Sequence, residues 1–140
     1  MNNLYPFADR RVHRSTQTLT ALTLQLQHVY EKEGLRNFAL GDSNGMVVTA
    51  AGDAREAEAL AAYAPLLARS VDRRYRQEIL SRVESMIPGI TPETIHVRRF
   101  EADGEELFLT LVGKPGAYHR VGLFRAITGV RRILDRPIAA

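Results

Sequence analysis

At 140 residues the chain has room for one ordinary domain with a core of its own, needing neither metals nor disulfides to hold it together. Its 45% apolar and 25% charged residues suit a soluble globular protein, and no apolar run approaches the roughly 18 residues that cross a bilayer. It carries no cysteine and a formal net charge of +3, and the opening MNNLYPFADRRVHRS lacks the apolar stretch of a secretory signal, so a bacterial-type cytoplasm is the expected compartment.

Residues 1–14 show no periodicity and contain Pro6, which reads as a flexible N-terminal arm. From Ser15, a good N-cap, Leu19, Leu22, Leu26 and Val29 recur at spacings of three and four, and Gly34 stands where a helix would end. This predicts an amphipathic first helix. Leu35 to Leu40 and Met46 to Ala51 read as strands. Between them lies Asp42-Ser43-Asn44-Gly45, in which Asp accepts backbone hydrogen bonds and Asn-Gly supplies the positive φ of a tight hairpin.

Gly52-Asp53 closes the second strand, and Asp53 caps an alanine-rich helix beginning AREAEALAAYA, with Glu56 and Glu58 near its positive end. Its apolar stripe, Leu60, Ala64, Leu67 and Val71, continues in register through Tyr75, Ile79, Val83 and Met86. Pro65 interrupts it, which predicts a bend or break near residues 61–65. After a connector with Pro88-Gly89 and Pro92, Ile95 to Glu101 and Glu106 to Val112 make a second hairpin around Ala102-Asp103-Gly104. A last helix runs from about Ala117 to Asp135 on a stripe of Leu123, Ile127, Val130 and Leu134, and Gly129 within it implies close packing against a neighbour. Residues 137–140 are a tail. The expected class is α+β, in the order helix, hairpin, helix, hairpin, helix: an antiparallel sheet of about four strands flanked by helices, within a single domain over 15–136.

Gly41-Asp42-Ser43 after an apolar run looks like the nucleophile block of GDS(L)-type hydrolases. Such a serine needs a histidine base late in the chain, and none follows His119, so the turn reading is preferred and no catalytic residue is assigned. The four histidines lack ligand spacing, which leaves no expected metal. Gly113-Lys114-Pro115-Gly116 is too short to cradle phosphates and reads as a helix-entry turn, so no cofactor is expected either. Of the 19 basic residues 17 are arginine, grouped at Arg10-Arg11-Arg14, at Arg69 with Arg73-Arg74-Arg76, and at Arg131-Arg132 with Arg136. The middle group is either a solvated face or a contact for an acidic partner; the modest net charge and the absence of interleaved aromatics argue against nucleic acid.

The stretch FALGDSNGMVVTAAGDAREAEALAAYAPLLAR resembles the core of the roadblock/dynein light chain family. There a strand, an Asp-x-x-Gly turn, a second strand, a small-residue step and an Ala/Leu-rich helix follow in that order. GEELFLTLVG is similar to the family's later strand. The likeness spans roughly residues 15–70 and 95–135. It departs in two places: only two strands follow the second helix where the family usually has three, and residues 71–87 read as further helix. The resemblance implies a roadblock/profilin-like fold and a non-enzymatic, usually dimeric adaptor. The bacterial MglB-like members bind a Ras-like small GTPase and stimulate its hydrolysis. The expectation is thus a homodimeric regulator or scaffold whose seam includes Leu60, Ala64, Leu67 and Val71. Its partner, a small GTPase or another acidic protein surface, would be met by Arg69, Arg73, Arg74 and Arg76. The alternative is a profilin-like ligand-sensing or structural assembly module.

Overall fold

The protein is described by a computed structural model covering residues 15–117 and 119–135; the N-terminal arm with Arg10, Arg11, His13 and Arg14, and the end from Arg136 with the 137–140 tail, lie outside the described residues. The elements are α1 (Thr16–Glu33), β1 (Asn37–Asp42), β2 (Val47–Gly52), α2 (Ala54–Arg69), α3 (Arg73–Met86), β3 (Ile95–Ala102), β4 (Glu105–Val112) and α4 (Arg120–Leu134). The four strands form one antiparallel sheet in the order β2-β1-β4-β3. This is the α+β class expected, with one helix more. No helix among the described residues is long and apolar enough to cross a membrane.

Helix α1 begins and ends where local chemistry dictates. The Ser15 hydroxyl accepts from the Thr18 amide at 3.0 Å, and Gly34 closes the helix in the left-handed region. Leu22, Leu26 and Val29 are buried against the sheet together with Leu123, Ala126, Ile127 and Val130 of α4. Gly129 faces α1 so closely that an added Cβ would lie 2.3 Å from the Gln25 amide nitrogen, the close packing its position in the helix implied.

The first hairpin turns through a β-turn, not a two-residue Asn-Gly loop. The Gly45 amide donates to the Asp42 carbonyl at 3.1 Å, and the Asp42 amide donates to the Met46 carbonyl at 2.9 Å. Only Gly45 of the turn residues has positive φ, +77°. The Asp42 carboxylate accepts from the Asn44 and Met46 amides at 2.9 and 3.0 Å. A turn followed by one left-handed residue and a bulge fits the right-handed twist of the strands. Glycine is needed at Gly45 for a second reason: a Cβ there would stand 3.3 Å from the Ala62 Cα, because the turn rests on α2. The second hairpin takes the tight two-residue form, with Asp103 at φ +53° and Gly104 at +69°.

The helix after β2 departs from expectation. Asp53 does cap it, accepting from the Glu56 amide at 2.9 Å. Yet α2 runs without interruption through Pro65, and the break falls at Ser70–Asp72. Two local devices end one helix and start the next. The Leu67 carbonyl, which α2 no longer satisfies, accepts from the Ser70 hydroxyl at 3.0 Å and from the Arg76 guanidinium at 2.7 Å. Asp72 then caps α3, its carboxylate accepting from the Arg74 amide at 3.1 Å. The stripe read as continuous therefore divides. Ile79, Leu80 and Val83 of α3 join Leu60 and Leu67 of α2 in a second core on the other face of the sheet, while Val71, Tyr75 and Met86 are exposed.

Candidate interaction surface

Helix α2 lies across the sheet, and its small residues let it sit close. An added Cβ on Gly41 of β1 would stand 3.0 Å from the Ala61 Cβ. Leu60, Ala64 and Leu67 point into this contact and are at most 1% exposed. They are core residues of the protomer, which corrects the expectation that they form a dimer seam: the stripe is covered by the protein's own sheet. Val71, the fourth member, lies in the α2–α3 junction and is fully exposed. What α2 offers outward is Ala62 and Leu66, with Leu66 40% exposed, while Ala59 packs against the second core. Met46, exposed at the entry to β2, follows Gly45, which rests on Ala62.

The four arginines expected to share one helix face are split by the junction. Arg69 ends α2 and is held from both sides: it pairs with Glu106 at 2.7 Å and its guanidinium lies 5.5 Å from the centre of the Phe108 ring. Arg76 is engaged with the Leu67 carbonyl. Arg73 and Arg74, in the first turn of α3, are exposed and form no ion pair with any described residue. Cations in a first turn meet the positive end of the helix dipole, an unfavourable placement that an opposing carboxylate would relieve. The junction thus presents Val71 and Tyr75 beside two arginines that have no ion-pair partner among the described residues. Exposed aliphatic and aromatic side chains together with arginine are what protein interfaces are enriched in.

Glu106 anchors a small ion network at the end of β4. It accepts from Arg99 as well as Arg69, and Arg99 also reaches Glu101 at 3.0 Å. The Arg99 hydrogen bond, with the charge of Arg69, holds the Glu106 carboxyl below its ordinary range.

Ser43 is exposed in the first turn, and its side chain is bonded to no histidine among the described residues. The turn reading accounts for the whole Gly41–Gly45 stretch. His119 has a role the sequence did not suggest. It is buried, its Nδ1 lies 3.0 Å from Glu33 Oε1, and its ring occupies the space where a Gly113 Cβ would be, 2.3 Å from the His119 Cδ2. The pair ties the start of α4 to the end of α1. No three His, Asp or Glu side chains among the described residues are grouped to hold a metal ion.

No family model and no curated protein matches the sequence. Among solved structures the chain is similar to Myxococcus xanthus MglB, with a TM-score of 0.58 over 90% of this chain and 96% of that one, at 11% sequence identity. What the two share at that identity is the fold, a roadblock-like α+β architecture spanning nearly the whole of both chains.

Proposed function

We propose that the protein is a non-enzymatic homodimeric regulator or scaffold that binds a Ras-like small GTPase through the α2–α3 junction. The observation that carries this reading is the junction itself: Val71 fully exposed and Tyr75 at 45%, next to Arg73 and Arg74, which pair with no acidic side chain among the described residues. Burying those apolar groups would contribute on the order of 25 cal/mol per Å² of area removed from water, and the arginines would select an acidic face. The roadblock-like fold and the family resemblance supply the class of partner. The dimer is assigned to the outer ridge of α2, Ala62 and Leu66, where the small Ala62 permits close approach of a second copy.

A panel of bacterial Ras-like GTPases, each loaded with a non-hydrolysable GTP analogue, tests the reading by calorimetry against the full chain. Micromolar or tighter binding that weakens with salt is expected. Arg73→Glu combined with Arg74→Glu is expected to lower the affinity by about tenfold or more, since a charge-assisted contact contributes about 1.5–3 kcal/mol. Affinity unchanged in the double variant would return both arginines to the solvated surface, and binding to no GTPase of the panel would overturn the assignment.

A further inference from the structure

On the opposite face of the sheet, away from the α2–α3 junction, an open groove runs between β3 and α4. Its floor is Phe100, 3% exposed, and Ile127, 8% exposed; Arg98, Arg120, Phe124 and Arg131 stand along it. Phe124 is 72% exposed and Val121, three residues before it on α4, is 55% exposed, so the helix leaves large apolar side chains in water. Arg131 is partly engaged: its Nε donates to the Glu101 carbonyl at 3.2 Å, and its guanidinium lies 5.7 Å from the Phe100 ring centre. Arg98 and Arg120 are exposed and have no acidic partner among the described residues.

The groove borders a sheet edge. β3 pairs with β4 alone, so one side of its backbone, over Ile95–Phe100, has no partner strand among the described residues. In register terms Arg98 and Phe100 lie opposite Leu109 and Leu107 of β4, whose side chains belong to the core under α4. A strand added beside β3 would therefore direct every second side chain toward Arg98, Arg120 and Phe124. We propose that this edge and groove dock an acidic, extended segment of a partner protein as a fifth strand. Its carboxylates would meet Arg98 and Arg120, and one aliphatic side chain would cover Phe124 and Ile127.

Charge chooses the occupant. A second copy of β3 carries Arg98 and Arg99 against one carboxylate, Glu101, which Arg99 already engages, so it offers little negative charge to Arg98 and Arg120. The N-terminal arm carries Arg10, Arg11 and Arg14 and is no better matched. Single-stranded nucleic acid would satisfy the arginines, but one exposed aromatic is short of the successive stacking platforms it uses, and a sugar–phosphate chain has no alternating amides and carbonyls to continue the strand ladder. The proposal is independent of the GTPase reading, which concerns the other face.

Phage-displayed random decapeptides, panned against the full-length chain, test it. The expected selection is acidic, free of proline over its central residues and marked by one recurrent aliphatic position. A synthetic peptide from that set is expected to lose about tenfold or more in affinity for Arg98→Glu combined with Arg120→Glu, and similarly for Phe124→Ser. All three positions are exposed, so the fold should persist, which circular dichroism checks. Alternate backbone N-methylation of the peptide should abolish binding, and bound peptide should slow amide exchange in β3. Recovery of no sequence, recovery of basic sequences, or N-methylated peptide or a single-stranded oligonucleotide binding as well as the selected peptide would each overturn it.

Discussion

Leu66 and Leu67 are neighbours in sequence with opposite surroundings, and replacing each separates a core from a seam. Leu67 is 1% exposed and packs with Leu60, Ile79 and Val83, so Leu67→Ala removes three carbons from a closed interior. At about 0.8 kcal/mol per buried carbon the transfer loss is about 2.4 kcal/mol, and the residual cavity adds to it; buried leucines span about 2.7–5 kcal/mol in such series. Because Leu67 occupies the last turn of α2, where the junction can settle inward, the lower part of that range is expected, about 3 kcal/mol. For a domain with a total stability of about 5–15 kcal/mol this is a large fraction, and it should move the urea midpoint by about 1–2 M. Leu66→Lys is the contrasting change. Lysine has nearly the helix propensity of leucine and sits well near a helix C-terminus, so the midpoint should stay within about 0.5 M, while a charge placed on the outer ridge should disrupt self-association. Urea unfolding followed by circular dichroism gives the first quantity, and light scattering gives the second. A Leu67→Ala protein of full stability that no longer dimerises would mean that the stripe is a seam after all, and that Leu67 does not close the core between α2 and α3.

Gly45→Val should cost at least about 1–2 kcal/mol, since it forces a β-branched side chain to positive φ above Ala62, whereas Ser43→Ala should stay within about 0.5 kcal/mol in chemical denaturation. Glu106→Gln removes the shared acceptor of Arg69 and Arg99. Because the native carboxyl titrates below its ordinary value of 4.5, its contribution is present above that pH and is lost as pH falls through the native value. The stability difference between native protein and Glu106→Gln should therefore be constant at neutral pH and shrink in acid; a difference that grows on acidification would contradict the network. Burial lowers the His96 pKa from 6.5, so the fold disfavours its protonation, and stability should fall as pH drops below about 6.5. His96→Gln should flatten the thermal midpoint across that window.

Much of this architecture was legible because it rests on local chemistry. Ser15, Gly34 and Asp53 act within three or four residues of themselves, and each marks its helix end as expected. Asp103-Gly104 likewise carries its own turn. Sequence and structure diverge where two local signals compete. Pro65 is the strongest helix breaker by composition, but it is buried within α2, and the packing of that helix outweighs its cost. Ser70 and Asp72 are weaker signals that nevertheless end and restart the helix, because each found a backbone partner. The face of the stripe could not be read at all. Periodicity identifies which residues of α2 lie together, and both a sheet and a second copy would be satisfied by Leu60, Ala64 and Leu67. His119 and Glu33, 86 residues apart, left no periodic trace.

Because α3 closes the second core as a helix and not as a strand, the two sheet edges differ. Ile79, Leu80 and Val83 cover the second core from the side of α2, and with Ile87 and Ile90 they close it without adding to the sheet. β3 is left as an edge, and it carries His96, Arg98, Arg99 and Glu101. Charges along an edge oppose pairing with an identical strand while leaving it open to one of complementary charge. β2, at the other edge, reads Val-Val-Thr-Ala-Ala-Gly, with no charged residue, and it follows the exposed Met46 and borders α2. No charge on that strand resists self-pairing. The edge suited to a second copy therefore adjoins the ridge of α2 assigned to the dimer, and the edge protected from a second copy adjoins the arginine-lined groove. A dimer formed at β2 and α2 would leave the β3–α4 groove open on each protomer, at the far side of the sheet from the seam.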